Sequence, residues 1–380
     1  MKQAVLLLFA VLFAAGISGC TQPTGKSTNG SGQKAGSTAT ETVTYYVAAD
    51  EVEWNYAPSG KNVVTNKPFG ETENVFVKPG GGFVGATYKK ALYREYTDDT
   101  FQTLKPIPAE WKHLGMVGPV IRAEVGDTIK VVFKNKATRP YSVHPHGVFY
   151  KKDSEGAPYD DGTSGSDKAD EAVEPGKTHT YTWEVPERAG PGEMDPSSII
   201  WAYHSHVDET MDTNAGLLGP MIITRDGEAG PDGRPKDVDR EFVQLFTVTN
   251  ENSSFYLDEN TAKYAGGVTA DPDEFEESNL MHNINGFVYG NGPLADLTMK
   301  KGERVRWYMI GLGTEVDLHT PHWHGNTVLW QGMRSDMIEL LPMSMKTVDM
   351  MPDATGIWLY HCHVNDHLDA GMITRFNVTE

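Results

Sequence analysis

The sequence predicts an all-β chain built from two sandwich domains. Three observations carry this. Segments of period-2 polarity recur, such as Thr178-His179-Thr180-Tyr181-Thr182-Trp183-Glu184-Val185, and no long amphipathic helical pattern competes with them. Gly and Pro are frequent, 39 and 22 of 380 residues, as in turn-rich β proteins. The chain also repeats itself. Gly126-Asp127-Thr128-Ile129-Lys130-Val131-Val132-Phe133 leads to one histidine cluster as Gly302-Glu303-Arg304-Val305-Arg306-Trp307-Tyr308-Met309 leads to another. Ile200-Trp201-Ala202-Tyr203-His204-Ser205-His206 matches Ile357-Trp358-Leu359-Tyr360-His361-Cys362-His363.

Taken in order, the first residues read as an export signal. Lys2 supplies the positive charge, Ala4 to Ala15 is apolar, and small residues follow. That run is too short for a confident membrane span. Ile17-Ser18-Gly19-Cys20 resembles the lipobox of bacterial lipoproteins, so residues 1–20 are expected to be a lipoprotein-type signal peptide with a lipid anchor at Cys20. Residues 21–41, rich in Ser, Thr and Gly, form a flexible tether with a mean reach of about 25 Å. Domain 1 is expected over 42–226 and domain 2 over 241–380. The polar stretch between them, rich in Gly, Pro and Asp, is a linker at 227–240. The expected location is extracytoplasmic, in the periplasm or at the cell surface. The net charge of −19 argues against nucleic acid and mildly favours cationic substrates. Once Cys20 is set aside, Cys362 is the only thiol. An exported chain with no internal disulfide must protect that thiol, and metal ligation does so.

Ten of the 13 histidines fall in four clusters. These are His144-Pro145-His146-Gly147, His204-Ser205-His206, His319-Thr320-Pro321-His322-Trp323-His324-Gly325, and His361-Cys362-His363 with His367 and Met372. Two histidines, a cysteine and a weak methionine are the ligand list of a blue-copper site. His319, Cys362, His367 and Met372 complete that list, and eight imidazoles remain. Eight are too many for one ion and suit a cluster of several coppers. Side chains alternate along a strand. His361 and His363 therefore point one way and Cys362 the other, and the peptide through Cys362 becomes a short covalent route between two metal centres. In the first half Ser205 stands where the thiol would be.

In this order the four clusters resemble the multicopper oxidases, over essentially everything from Thr42 to Glu380. The likeness is greatest to the ceruloplasmin-like branch, through His146-Gly147-Val148-Phe149-Tyr150, Val185-Pro186-Glu187-Arg188-Ala189-Gly190-Pro191-Gly192, His204-Ser205-His206-Val207-Asp208-Glu209 and His361-Cys362-His363-Val364. The resemblance implies two cupredoxin-like Greek-key β-sandwich domains and four coppers per chain equivalent. It places type 1 copper on His319, Cys362, His367 and Met372. It places type 2 copper on His144 and His322, and the type 3 pair on His146, His204, His206, His324, His361 and His363. Type 1 copper would take single electrons from a reductant and pass them through Cys362 to the trinuclear centre, where O₂ becomes water. Asp161 matches the family's acid near that centre. Asn365 departs from the glutamate that many fungal members carry there as a second proton donor. By internal alignment Tyr141, Ser205, Thr210 and Leu217 replace the type 1 ligands in domain 1. Each domain then carries half a trinuclear site. Three copies closing head to tail, as in two-domain laccases, would complete it as a homotrimer.

Glu277, His282 and Asp366 match the iron-oxidation site of ceruloplasmin, and Glu315 matches a glutamate donated there by a neighbouring domain. Carboxylates favour Fe³⁺ over Fe²⁺, which makes bound iron a better donor, so a ferroxidase is favoured. Phenol oxidation of the laccase type stays open. So does Cu⁺ oxidation, because Met333, Met337, Met343, Met345, Met350 and Met351 lie close in sequence and thioethers bind Cu(I). Copper nitrite reductase shares the two-domain trimer but carries type 1 copper in domain 1 and a single-copper catalytic site. Ser205 and the full histidine set argue against it. A non-catalytic copper-binding protein would not need all ten imidazoles.

Overall fold

The computed structural model describes residues 41–266, 270–314 and 316–380. The expected signal peptide, Cys20, the tether up to residue 40, and Glu315 lie outside the described residues.

The first half contributes nine strands: β1 (Thr42–Asn55), β2 (Thr87–Tyr96), β3 (Ile121–Glu124), β4 (Thr128–Asn135), β5 (His144–Pro145), β6 (Phe149–Tyr150), β7 (Thr178–Glu184), β8 (Ser198–His204) and β9 (Leu218–Thr224). One sheet has the order β2-β1-β4-β7-β6 and the other β3-β9-β8-β5. The core between them holds Val47, Ile129, Phe133, Trp183 and Met221. β4 shows why the sequence reads as strand. Ile129, Val131 and Phe133 are buried while Lys130 faces solvent, an alternation that fixes register on the core side.

The second half contributes β10 (Arg240–Asn250), β11 (Leu280–Ile284), β12 (Thr298–Lys300), β13 (Val305–Leu312), β14 (Pro321–Trp323), β15 (Val328–Trp330), β16 (Met333–Ser335), β17 (Met345–Met350), β18 (Gly356–Cys362) and β19 (Ile373–Thr379). Its sheets run β11-β10-β13-β17-β15-β16 and β12-β19-β18-β14. Apart from the added edge strand β16, this repeats the first half. β10 pairs antiparallel with β11 and parallel with β13, as β1 does with β2 and β4. The core holds Phe246, Trp307, Trp323, Tyr360 and Cys362.

β13 departs from the alternation of β4. Its second face, Tyr308 and Ile310, is also buried, because it packs on Ile200, Ala202 and Ile222 of the first half. A sheet covered on both faces reads as continuous burial. Polar ties cross the same junction. Arg306 donates to Ser197 and Ser198 (2.7 and 2.8 Å) and pairs with Asp349, and Arg122 pairs with Glu241 at 2.7 Å. Among the described residues the longest helix has 8 residues, Leu257–Tyr264. None is long and apolar enough to cross a membrane.

Candidate metal centre

Three side chains from separate elements converge at one end of the second sandwich. Cys362 ends β18, His367 lies in the helix Asn365–Asp369, and His319 precedes β14. Their ligand atoms all lie within 4.8 Å of one another. Sγ of Cys362 is 3.7 Å from Nδ1 of His367 and accepts a hydrogen bond from Thr320 N at 3.4 Å. His319 donates from Nε2 to the Leu312 carbonyl at 2.8 Å, which leaves Nδ1 as the nitrogen with the free lone pair. That Nδ1 is buried with no hydrogen-bond partner. Met372 is fully buried in the same cluster as Cys362. The chain reaches it through Gly371 at φ +124, where a Cβ would meet Val288 at 2.9 Å. Burial holds His319 at about 4 and pushes the Cys362 thiol up. Imidazole is thus neutral, ready to ligate, and the thiol needs a cation to lose its proton. A soft thiolate–imidazole set of this kind fits copper.

β18 and β8 then present the other histidines. On the second sandwich, Nε2 of His324 and His361 are 3.0 Å apart, and His322 joins them in one ligand group. His361 donates from Nδ1 to the Cys362 carbonyl at 2.8 Å, so its Nε2 carries a lone pair. His363 lies just past the strand, 5.3 Å from His322 ring to ring. The first sandwich mirrors this. Nε2 of His146 and His204 are 3.0 Å apart, with His144 in the same group. His204 donates to the Ser205 carbonyl at 3.0 Å and His144 to the Glu155 carbonyl at 2.6 Å. His206 meets His144 edge to face, 5.1 Å ring to ring. Carbonyl acceptors that orient metal-binding imidazoles are the usual support for such sites. Burial, then the neighbouring imidazoles, holds His146 at about 4, and burial holds His204 at about 3. Lone pairs that converge on neutral rings fit a cation between them. Among the described residues no ring contact joins a histidine of one set to a histidine of the other. His144 and His146 of the first set line an open cleft of about 340 Å³ together with Arg188.

Of the residues singled out for the reductant, two acids and one histidine, Glu277, Asp366 and His282, gather on the His367 side. His282 lies 5.2 Å from it ring to ring and donates to the Leu280 carbonyl at 2.9 Å. Burial and then His367 hold His282 at about 4. Burial raises the Glu277 carboxyl, and the charge of Asp366 raises it further, so the two carboxyls feel each other. Sequence reasoning missed Asp317. Its Oδ1 lies 4.0 Å from His367 Nε2, and its other oxygen accepts from Thr314 N and Oγ1 at 2.5 and 2.8 Å. Its place two residues before His319 was the available signal. Asp161 sits elsewhere. It caps its own turn through Thr163 and pairs with Lys152 and Lys168 at 3.2 and 3.4 Å, and these contacts hold it well below the usual carboxylate range. The methionines divide between environments. Met350 is core, Met343 and Met345 pack at the junction of the sandwiches, and Met333 and Met351 are exposed.

Two duplicated sandwiches, one with a buried His–Cys–His set and each with an imidazole face, define a copper protein of the cupredoxin-like class. Residues 114–228 match one multicopper oxidase family model and residues 269–380 a second. Ferroxidase HEPHL1 of Homo sapiens is 44% identical over 354 residues, 90% of this chain and 30% of that protein. Human hephaestin is 45% identical over 88% of this chain and 29% of its own length, and human ceruloplasmin 42% over 89% and 31%. The chain thus spans about 30% of the length of these relatives. The crystal structure of a blue copper oxidase from Nitrosomonas europaea aligns with a TM-score of 0.55 at 18% identity, covering 89% of this chain and 86% of that one. A multicopper oxidase described as mgLAC gives 0.55 at 20%, with the same coverage. The chain belongs to the multicopper oxidase family.

Proposed function

We propose that the protein oxidises a metal-ion reductant, Fe²⁺ in preference, one electron at a time and reduces O₂ to water. The observation that carries this is the strand end of β18. It sets Cys362 inside the sandwich beside His367, and His367 beside His282, while His361 groups with His322 and His324. Copper, when bound, supplies the one-electron chemistry and the multi-electron reduction of O₂. His319, Cys362, His367 and Met372 would hold the mononuclear ion, His144 and His322 a second, and His146, His204, His206, His324, His361 and His363 a pair, four ions in all. The hydrogen bond from His361 Nδ1 to the Cys362 carbonyl adds a short bonded path between the two regions. Glu277, His282 and Asp366 would bind Fe²⁺, with Glu315 supplied by a neighbouring copy. Two mutually repelling carboxyls beside a neutral imidazole favour a cation, and hard oxygen ligands favour it once oxidised. The ferroxidase relatives support this choice of substrate. Asp161, kept ionised by the hydrogen bonds from Thr163 and then by two lysines, would order the loop that carries Glu155, whose carbonyl holds His144.

Each chain carries two half-sets that do not touch, so the reading requires a second copy at every O₂-reducing site and favours a closed homotrimer. Membrane attachment through Cys20 rests on the sequence alone. A laccase-like alternative rests on one observation. Leu318 and Leu341, 47% and 57% exposed, flank the His319–Leu340 bridge and offer apolar contact to an organic donor. Steady-state oxygen uptake with Fe²⁺, Cu⁺ and a phenol separates these. Fe²⁺ is expected to give the highest kcat/KM. The double variant Glu277→Ala/His282→Ala should lose at least tenfold for Fe²⁺ and little for the phenol. Unchanged Fe²⁺ kinetics in that variant would refute the iron assignment.

A further inference from the structure

The two sandwiches share their polar links around the histidine strands as well as their topology. In the second, His363 N donates to Thr320 Oγ1 at 3.1 Å, Thr320 N donates to Cys362 Sγ at 3.4 Å, and His361 Nδ1 donates to the Cys362 carbonyl at 2.8 Å. In the first, His206 N donates to Ser142 Oγ at 3.0 Å, Ser142 N donates to Ser205 Oγ at 3.0 Å, and His204 Nδ1 donates to the Ser205 carbonyl at 3.0 Å. Each bond has its counterpart, with Ser142 for Thr320 and Ser205 for Cys362.

The difference lies one step deeper. Cys362 faces His319 and His367, which complete a ligand group with it. Ser205 instead donates to Oδ2 of Asp212 at 2.6 Å. Asp212 stands on the helix Glu209–Ala215, the counterpart of the helix that carries His367. The same oxygen accepts from Val207 N at 3.0 Å and Asp208 N at 3.1 Å, and Asp212 is fully buried. Its second oxygen is buried with no partner. A carboxyl is costly to bury and is kept only where it is held by hydrogen bonds. All three donors here belong to the segment that begins at His204 and runs past His206. Tyr141 and Leu217, at the other aligned positions, are fully buried, and the Tyr141 hydroxyl pairs with that of Tyr256 at 3.0 Å.

We propose that Asp212 is a positioning residue that does in the first sandwich what a mononuclear ion would do in the second: it ties the end of the histidine strand to the following helix and so fixes His204 and His206. The argument rests on the reading of those histidines as ligands, but the tie itself does not need a metal. Replacing the carboxyl by a methyl leaves the Ser205 hydroxyl and two backbone N–H groups without their acceptor, and residues 205–208 should loosen. Asp212→Asn can keep all three bonds through its amide oxygen, with the amide nitrogen at the oxygen that has no partner.

The test compares the full chain with Asp212→Ala, Asp212→Asn and Ser205→Ala. In the metal-free protein, amide exchange at Val207 and Asp208 should speed up at least tenfold in Asp212→Ala and stay within threefold of wild type in Asp212→Asn. After copper loading and dialysis against a chelator, Asp212→Ala should keep its blue band, which reports on the second sandwich, and lose most of its remaining copper. Ser205→Ala removes the bond to Asp212 and the acceptor of Ser142 N but keeps both backbone bonds to Asp212, so it should lose copper to a smaller degree, which carries the test if Asp212→Ala does not fold. Wild-type exchange rates in both Asp212→Ala and Ser205→Ala would overturn the proposal. Faster exchange with full copper retention would keep the tie and overturn instead the assignment of His204 and His206 as ligands.

Discussion

Replacing Lys90 by methionine should cost more stability than replacing Lys90 and Glu251 together. Lys90, on β2, and Glu251, after β10, are both fully buried, and they join the two sandwiches. Lys90 Nζ lies 2.5 Å from Glu251 Oε1 and 2.6 Å from the Asn214 carbonyl, and the Tyr56 hydroxyl donates to the same Glu251 oxygen at 2.6 Å. Burial raises the Glu251 carboxyl and lowers the Lys90 ammonium, so their attraction does not fully offset lost hydration. The pair as a whole therefore contributes little. Removing one partner strands the other, at about 3–5 kcal/mol. The pH dependence follows. In Lys90→Met the Glu251 carboxyl rises further above its unfolded value. A raised carboxyl gives stability that is present below the unfolded pKa and lost as pH climbs through the folded one. The penalty should thus be larger at pH 7 than near pH 5. Urea unfolding of the metal-free protein at both values measures it, with Lys90→Met/Glu251→Gln recovering most of the loss. A single-variant loss below about 1 kcal/mol, or a double variant as unstable as the single, would refute the reasoning.

Other outcomes follow from the same geometry. Cys362→Ser should abolish the blue band and oxidase turnover while most of the other copper stays bound; metal analysis of the loaded wild type giving one or two coppers per chain would contradict the four-ion reading. Inactive His204→Ala and Cys362→Ser chains, mixed, should regain part of the activity, because some interfaces then pair two intact half-sets; a fully active monomer in light scattering would sink the shared site. His113 is buried at the sandwich junction, accepts from Val243 N at 2.9 Å, and is held at about 4 by burial. A histidine lowered on folding gives stability that is present above pH 6.5 and is lost as pH falls toward 4, here about 3 kcal/mol in all. His113→Gln should flatten that part of the stability profile measured by urea unfolding.

The sequence displayed what is local and periodic. Alternation in β4 and the spacing His361-Cys362-His363 place side chains on opposite faces with no knowledge of partners, and the structure puts Cys362 in the core and His363 outside it. What depended on distant neighbours was hidden. β13 reads as a half-buried strand until the first sandwich covers Tyr308 and Ile310. The lysines that pair with Asp161 come from either side of a loop. Asp317 meets His367 only because the turn before β14 folds back over the helix Asn365–Asp369. The helix Pro272–Ser278, which presents Glu277, was legible after all. Asp271 caps it by accepting from Asp273 N, and Pro272 occupies its first turn, a start signal that a search for β patterns passes over.

Under the proposed function, duplication with divergence would give the electron donor a single address. Both sandwiches end the same strand of the smaller sheet in a His-x-His, and both bury the middle side chain against a short helix. A serine hydroxyl bonded to a buried carboxyl satisfies that position as completely as a thiolate bonded to a metal would. Only the thiolate can pass an electron along the strand to the flanking imidazoles. With Ser205 and Asp212 in the first sandwich, a reductant gains nothing by docking there. The acids that could hold a cation, Glu277, Asp366 and Asp317, accordingly stand around His367 in the second. If a reductant entered through the first sandwich instead, Cys362→Ser would leave turnover intact, and that result would separate the two routes in one assay.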